Sequence, residues 1–369
     1  MKYNYIITCP RNVESLLAKE VKFLGYKKTN TNKGFVSFQW DLKAIAKLNL
    51  WSRVWSKLYL QVAQFEESND FTQLFDNIQS IDWKYYISGD KPFVVNVVSK
   101  WAKLTSTPSC QKIVKKSIAK KLLNGKEWHV YEDSSQDAIE VLVVLESWST
   151  QVLINTTWEG LFKRWYKTKN TEASLKENVA AALVILAWWK FSETFFDPFC
   201  WWGTLAIEAA MLAKNIAPGM YRNFAFEYFD WYDKNILQEE KAKAKDKIFH
   251  KKSYKIIASD IDSEILEIAK DNAKNAWVFD DISFIKKDFL KTDIQDYDWT
   301  LLCNPPYWIR LQSKDIKRIH DKLLYILSKN NKLWWAFYTA YEWFDFDKSI
   351  FKKRLIYNWA KEAYLYKKK

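Results

Sequence analysis

Glycine is the residue this chain lacks most conspicuously. Seven occur in 369 residues, where ordinary usage of about 7% would supply roughly 26. So few glycines leave little scope for turns in which the backbone takes positive φ without steric cost. Cysteine is sparse too. Cys9, Cys110, Cys200 and Cys303 lie far apart, with no CxxC pair and no histidine at ligand spacing. That pattern argues against a disulfide scaffold and against a zinc site, so no metal is expected. No run of eighteen apolar residues occurs, and Met1-Lys2-Tyr3-Asn4-Tyr5 lacks the charged-then-apolar layout of a signal peptide. A soluble, cytoplasmic chain with no membrane partner is therefore expected. Internal repeats and low-complexity linkers are also missing.

What is present begins with a 49% hydrophobic fraction, enough to build real cores in two or three domains. The net charge is +13. A polyanionic partner accounts for it, because lysines near phosphates release condensed counterions. Solvated lysine-rich faces account for it equally well. Tryptophan, usually rare, appears 21 times against the 7 glycines, and the two counts together approach an ordinary glycine count. Several tryptophans also sit where glycine chemistry is wanted. Asn358-Trp359 separates two strand-like runs, at the place of an Asn-Gly type I′ turn. Trp201-Trp202-Gly203 fills a strand-to-helix turn. The expectation is that many of these tryptophans are glycines in the living protein, as when a UGA codon read as glycine is translated as tryptophan.

Along the first 155 residues strands and helices interleave. YNYIITC and GFVSFQW have strand character. VESLLAKEVKFLG has helical spacing with Gly25 as C-cap, and DLKAIAKLNLWSRV follows Asp41 as N-cap. KLYLQVAQF, helical FTQLFDNIQSI, strand PFVVNVVS, lysine-rich helix CQKIVKKSIAKKLL and strands IEVLVVLES and TQVLINTT complete an α+β region. From about residue 170 the rhythm becomes helix–strand alternation ending in a hairpin, which predicts a doubly wound α/β domain.

Three motifs fall at strand ends, where ligands bind in an open α/β sheet. CNPPYWI, residues 303–309, follows an apolar strand. The Asn304 side chain and the Pro305 carbonyl offer two acceptors for the protons of an exocyclic amino group, turning its lone pair toward a methyl donor. Pro305 and Pro306 stiffen the turn, and Tyr307 can stack on a base. A rigid proline turn without chemistry is the plain alternative. DPFCWWGTLAIEAA, residues 197–210, puts Asp197 at a strand end, then a short turn, then a helix from Thr204. Such a turn lets a cofactor approach the backbone, with Asp197 binding its ammonium group, and Trp201 and Trp202 contradict that role unless they are glycines. ASDID, residues 258–262, ends the next strand; Asp260 suits ribose hydroxyls, beside Ile261, and Asp262 suits a helix N-cap. Asp288-Phe289 ends another strand and suits an adenine amino group and ring.

With these motifs in order, the chain resembles the THUMP-domain class I RNA methyltransferases, above all the bacterial 23S rRNA guanine-N2 methyltransferase family. EGLFKRWY (159–166) is similar to the family's GLHKRGY segment, ASLKENVAAAL (173–183) to its APLKE helix, and LNLWSR (48–53) and SKWAKLTSTPSCQK (99–112) to its N-terminal segments. The resemblance implies a ferredoxin-like unit at 1–58, an RNA-gripping THUMP domain at 59–157 and a Rossmann-like methyltransferase domain at 158–369. It implies S-adenosyl-L-methionine as cofactor. Asp197, Phe199, Trp201, Trp202, Gly203 and Thr204 would form its methionine-side loop, Asp260 and Ile261 the ribose site, and Asp288 and Phe289 the adenine site. Asn304 to Tyr307 would take the base, in 23S rRNA or its precursor. The departures from the family's glycines are Trp165, Trp188, Trp201, Trp277, Trp299 and Trp308. Lys100, Lys103, Lys112, Lys115 and Lys116 are expected either to contact phosphates or to line a solvated helix face. Lys163 and Arg164 either serve RNA or pair with acids. Cys200 and Cys303 are read as core thiols, not nucleophiles. Two other readings stand beside this one: a tRNA guanine-N2 or DNA adenine-N6 methyltransferase, and an RNA-binding assembly factor without catalysis.

Overall fold

The computed structural model describes residues 2–88, 91–123, 138–167, 175–292, 299–306, 313–329, 334–341, 348–349, 351–358 and 361–369. The N-terminal half runs β1 (Tyr3–Thr8), α1 (Glu14–Phe23), β2 (Thr29–Asn32), β3 (Phe35–Trp40), α2 (Lys43–Trp51), β4 (Leu58–Phe65), α3 (Phe71–Gln79), α4 (Trp83–Tyr86), β5 (Phe93–Lys100), α5 (Thr107–Leu123), β6 (Ile139–Glu146) and β7 (Ser149–Asn155). Its strands form one sheet in the order β2-β3-β1-β4-β7-β6-β5. Strand β4 pairs antiparallel with β1 on one side and β7 on the other, so the sheet continues across the two expected N-terminal units. The alternation in β6, with Ile139, Val141, Val143 and Leu145 inward, buries one face and leaves the other partly wet. Asp70 caps α3 by accepting from the Gln73 amide. Asp41 accepts from the Lys43 amide, although α2 begins with Leu42 as its N-cap.

The C-terminal half contains α6 (Glu177–Leu186), β8 (Thr194–Asp197), α7 (Thr204–Ala213), α8 (Asn235–Asp246), β9 (Ile256–Asp260), α9 (Ser263–Asn275), β10 (Ile282–Lys286), β11 (Trp299–Cys303), α10 (Ser313–Lys329), β12 (Trp334–Thr339), β13 (Phe351–Asn358) and β14 (Lys361–Lys368). The sheet order is β10-β9-β8-β11-β12-β14-β13. The first five strands are parallel, and β14 and β13 close the edge antiparallel, as the hairpin pattern predicts. The chain steps outward from β8 to β9 and β10, then returns to place β11 on the other side of β8. The β8/β11 boundary is therefore the topological switch point, where such sheets bind ligands. No described helix is long and apolar enough to cross a membrane.

The halves are joined by buried polar contacts. Arg164 is buried; its Nε donates to Glu208 Oε1 on α7 at 3.2 Å, its Nη1 to the Leu161 carbonyl and its Nη2 to the Arg53 carbonyl. Tyr166 adds its hydroxyl to the same Glu208 oxygen at 3.0 Å. Arg53, just past α2, reaches across to the Ile216 carbonyl at 2.7 Å. Nearby, the Gly219 amide donates to the Leu50 carbonyl at 2.9 Å. A Cβ at Gly219 would lie 2.4 Å from the Asn49 carbonyl oxygen, so only glycine permits this approach. Arg164 thus belongs to the junction, and of the two roles open to it from sequence it takes the pairing with an acid; no guanidinium face is left for phosphate.

Removing one partner strands the other charge without water. Arg164→Met should lower the unfolding free energy by about 3–5 kcal/mol, measured by chemical denaturation, and restoring an apolar match at Glu208 should recover part of it.

Candidate active site at the strand switch point

The site is built on the carboxyl ends of β8, β9 and β11. Asp197 closes β8 and is buried; its Oδ1 accepts from the Phe199 amide at 3.2 Å. The chain then turns through Cys200 to Gly203. The Cys200 amide donates to the Ser259 carbonyl at 2.9 Å and the Trp201 amide to Asp260 Oδ2 at 3.1 Å, tying the turn to the end of β9. Gly203 has φ of 80° and is the N-cap of α7. A side chain there would press Ile207 and the Ala269 backbone and methyl at 3.2–3.4 Å. The turn therefore delivers the amino end of α7, with its unpaired amides and positive dipole end, beside Asp197 and Asp260.

Burial drives the chemistry of the two acids. The Asp197 carboxyl is pushed well above the usual carboxylate range by burial, with neighbouring Asp260 adding to the effect against the Phe199 amide. Asp260 is raised by burial too, opposed by the backbone amides around it. Asp197 Oδ2 and Asn304 Oδ1 are buried oxygens with no hydrogen-bond partner among the described residues. Because β8 pairs directly with β11, these two acceptors stand on neighbouring strand ends. Buried polar atoms are rarely left so, and two of them fall at the strand ends where such sheets bind ligands.

Asp288 caps the short turn Phe289–Lys291 by accepting from the Leu290 amide, and the Phe289 ring lies 4.8 Å from that of Phe199. Ile261 is exposed just beyond Asp260, and Asp262 caps α9 as expected. Thr204 begins α7 and is buried. The Trp201 indole donates to the Asn304 carbonyl at 2.9 Å, bridging the two loops of the site, and Trp202 lies under the buried Lys167 ammonium at 5.7 Å. Neither contact was foreseen. Lys167, which also pairs with Glu177 at 3.2 Å, carries no motif that sequence could flag. Pro305 and Pro306 follow Asn304 in the described chain; Tyr307 and Trp308 lie outside the described residues. Burial raises the thiols of Cys200 and Cys303 well above their usual range, which keeps both protonated and poor nucleophiles. Toward the other half, Lys112 is exposed on α5, Lys100 lies 3.9 Å from Glu146, Lys103 donates to Asn69, and Lys163 pairs with Glu159.

Comparison with known proteins gives this geometry its family. An RMKL-like methyltransferase domain matches residues 164–357, more than half the chain. The chain belongs to the THUMP-domain RNA methyltransferases. A THUMP domain matches residues 68–143 of this methyltransferase, and an RlmL ferredoxin-like domain matches 4–58. YpsC of Bacillus subtilis, whose assigned name is that of an RNA methyltransferase, is 34% identical over 97% of this chain and 93% of its own. A Methanocaldococcus jannaschii protein named tRNA (guanine(6)-N2)-methyltransferase is 30% identical over 87% of this chain and 86% of its own. The structure of SMU.472, described as a methyltransferase complexed with SAH, superposes with a TM-score of 0.88 at 30% identity, covering 99% of this methyltransferase and 97% of that chain.

The raised Asp197 carboxyl fixes a pH signature. A buried acid whose folded pKa exceeds its unfolded one stabilises the fold only while protonated, and that contribution is lost as pH rises through the folded value. Asp197→Asn should therefore unfold at higher denaturant than the parent at pH 8. The advantage should vanish below the ordinary carboxylate range, where both side chains are neutral. An equal advantage at both pH values would refute the ionisation argument.

Proposed function

We propose that the chain methylates the N2 amino group of a guanine in RNA with S-adenosyl-L-methionine as donor, its leading substrate being large-subunit (23S) rRNA or its precursor. The observation that carries this reading is the pair of buried acceptors, Asp197 Oδ2 and Asn304 Oδ1, without partners among the described residues and at the ends of the adjacent strands β8 and β11. When bound, the cofactor supplies an electrophilic methyl group. Asp197 would hold its ammonium end, Phe199 and the turn from Cys200 to Thr204 its methionine portion, Asp260 with Ile261 its ribose, and Asp288 with Phe289 its adenine. Asn304 and the Pro305 carbonyl would accept the amino protons of the base, leaving the nitrogen lone pair free to face the methyl carbon. This is catalysis by placement, in which no strong base is needed. Tyr307 is assigned the stacking role on its motif alone.

Within this reading, residues 1–58 and 59–157 would hold RNA and 158–369 would carry the chemistry, in the cytoplasm. The exposed Lys112 and the partly exposed Lys100 favour a phosphate-contacting face on β5 and α5. Guanine N2 in tRNA is the second reading, favoured by the name of the Methanocaldococcus relative.

The test is transfer of labelled methyl from S-adenosyl-L-methionine to purified 23S rRNA and to tRNA, followed by nucleoside analysis. N2-methylguanosine in rRNA supports the leading reading, and the same nucleoside in tRNA alone moves the assignment to the second. RNA binding with no transfer to either would leave an assembly factor. Asn304→Ala should lower kcat about 100- to 1000-fold while cofactor affinity holds. Asp197→Asn should weaken cofactor binding roughly tenfold to a hundredfold, the loss of a charge-assisted hydrogen bond of about 1.5–3 kcal/mol.

A further inference from the structure

Seven residues other than glycine take a left-handed backbone among the described residues: Asn12, Asn215, Trp101, Trp158, Trp188, Trp201 and Trp277, with φ between 49° and 72°. Asparagine tolerates that region because its short side chain bonds locally, whereas a bulky side chain sets its Cβ against the carbonyl and becomes an outlier. Among the described residues no lysine, arginine, phenylalanine or tyrosine does so. Left-handed geometry there is confined to glycine, asparagine and tryptophan, and the tryptophans outnumber the asparagines.

The local hydrogen bonds show what these positions are. After α1, the Gly25 amide donates to the Lys22 carbonyl and the Tyr26 amide to the Val21 carbonyl. After α7, Asn215 and Ile216 make the same pair of bonds to Leu212 and Met211. After α9, Trp277 and Val278 make it again, to Lys274 and Ala273. This is the Schellman termination, whose left-handed residue is normally glycine and sometimes asparagine. Trp188 sits at the same place after α6, donating to Ile185. These side chains are largely exposed: Trp101, Trp188 and Trp277 are 85%, 65% and 56% exposed, with Trp277 against Tyr221 and Trp188 under Lys367. A second population lacks the strain, although the buried Trp55 and Trp335 indole nitrogens have no hydrogen-bond partner among the described residues. Trp55, Trp83 and Trp335 are fully buried without positive φ, and the Trp83 and Trp189 indoles donate to the Ile78 and Glu193 carbonyls.

We infer that the natural polypeptide carries glycine at positions 101, 158, 188, 201 and 277 and tryptophan at 55, 83, 189 and 335, one codon being read as glycine at the first set. Of the glycine positions expected from sequence, 188, 201 and 277 fall in this set. Trp165, Trp202 and Trp299 have no positive φ and gain no support from it, while Trp308 and Trp359 lie outside the described residues. Positions 101 and 158 are added by geometry alone.

The consequence for the site rests on the methyltransferase reading, although the residue assignment does not. Glycine at 201 removes the indole that joins the cofactor turn to the Asn304 carbonyl, and sets two left-handed glycines within the turn where the methyl donor and target base must meet.

Peptide mass spectrometry of the protein isolated from its own cells decides the assignment. Glycine masses at the five positions with tryptophan masses at 55, 83, 189 and 335 are expected; tryptophan at 101, 188 or 277 overturns it. A recombinant chain with the five glycines should melt higher than the chain as written, whereas Trp55→Gly, Trp83→Gly and Trp335→Gly should each melt lower. A five-glycine chain that melts no higher would overturn the strain argument. Glycine masses support the assignment even in a protein that transfers no methyl group, so the two readings fail separately.

Discussion

The pairing of β8 with β11 is the contact on which the rest of this molecule turns. These strands are distant in sequence, and the chain must place three α-helices and two further strands before β11 can return to the side of β8 that β9 leaves open. Once it does, an acid and an amide come together at adjacent strand ends, deep enough for burial to govern both. Helix α7 adds its amino end to the same corner, and the last residues of β9 pin the turn from the other side. The site is a product of topology before it is a product of any one side chain.

A second layer of constraint lies at the junction of the halves. Arg53, Arg164, Tyr166 and Glu208 exchange hydrogen bonds with one another and with backbone carbonyls from both sheets' surroundings, in a place that water does not reach. Ion pairs of this kind cost much to desolvate and return stability only when every bond is made. What they offer is geometric uniqueness, since few alternative dockings would keep this many of the bonds, even though Arg53 Nη1 and Glu208 Oε2 find no partner among the described residues. The bare backbone at Gly219 sharpens this, since it brings the C-terminal half into van der Waals contact with the end of α2.

Much of this was legible in the sequence, for reasons that differ by element. Strand ends carrying Asp197, Asp260 and Asn304 were readable because each closes an apolar run too short for a helix. The caps at Asp262 and the stop at Gly25 were readable from residue type alone. Strand β2 was not, because Thr29–Asn32 has no apolar alternation and is recruited only by pairing with β3. Helix α8 escaped as well, since Leu237 and Ala244 are the buried residues of a highly charged segment. The fate of Arg164 depended on Glu208, 44 residues away, and the strain at Trp101 and Trp158 depended on torsions that no periodicity encodes.

The continuous N-terminal sheet has one more implication. Strand β4 is shared by both N-terminal units, and the buried arginines fasten that sheet to the domain bearing the strand switch. Sliding one of these surfaces past the other would break buried hydrogen bonds that no water replaces. The junction then sets the distance between the sheet of the N-terminal half and the strand switch of the C-terminal half, as a fixed gauge sets the span between its jaws.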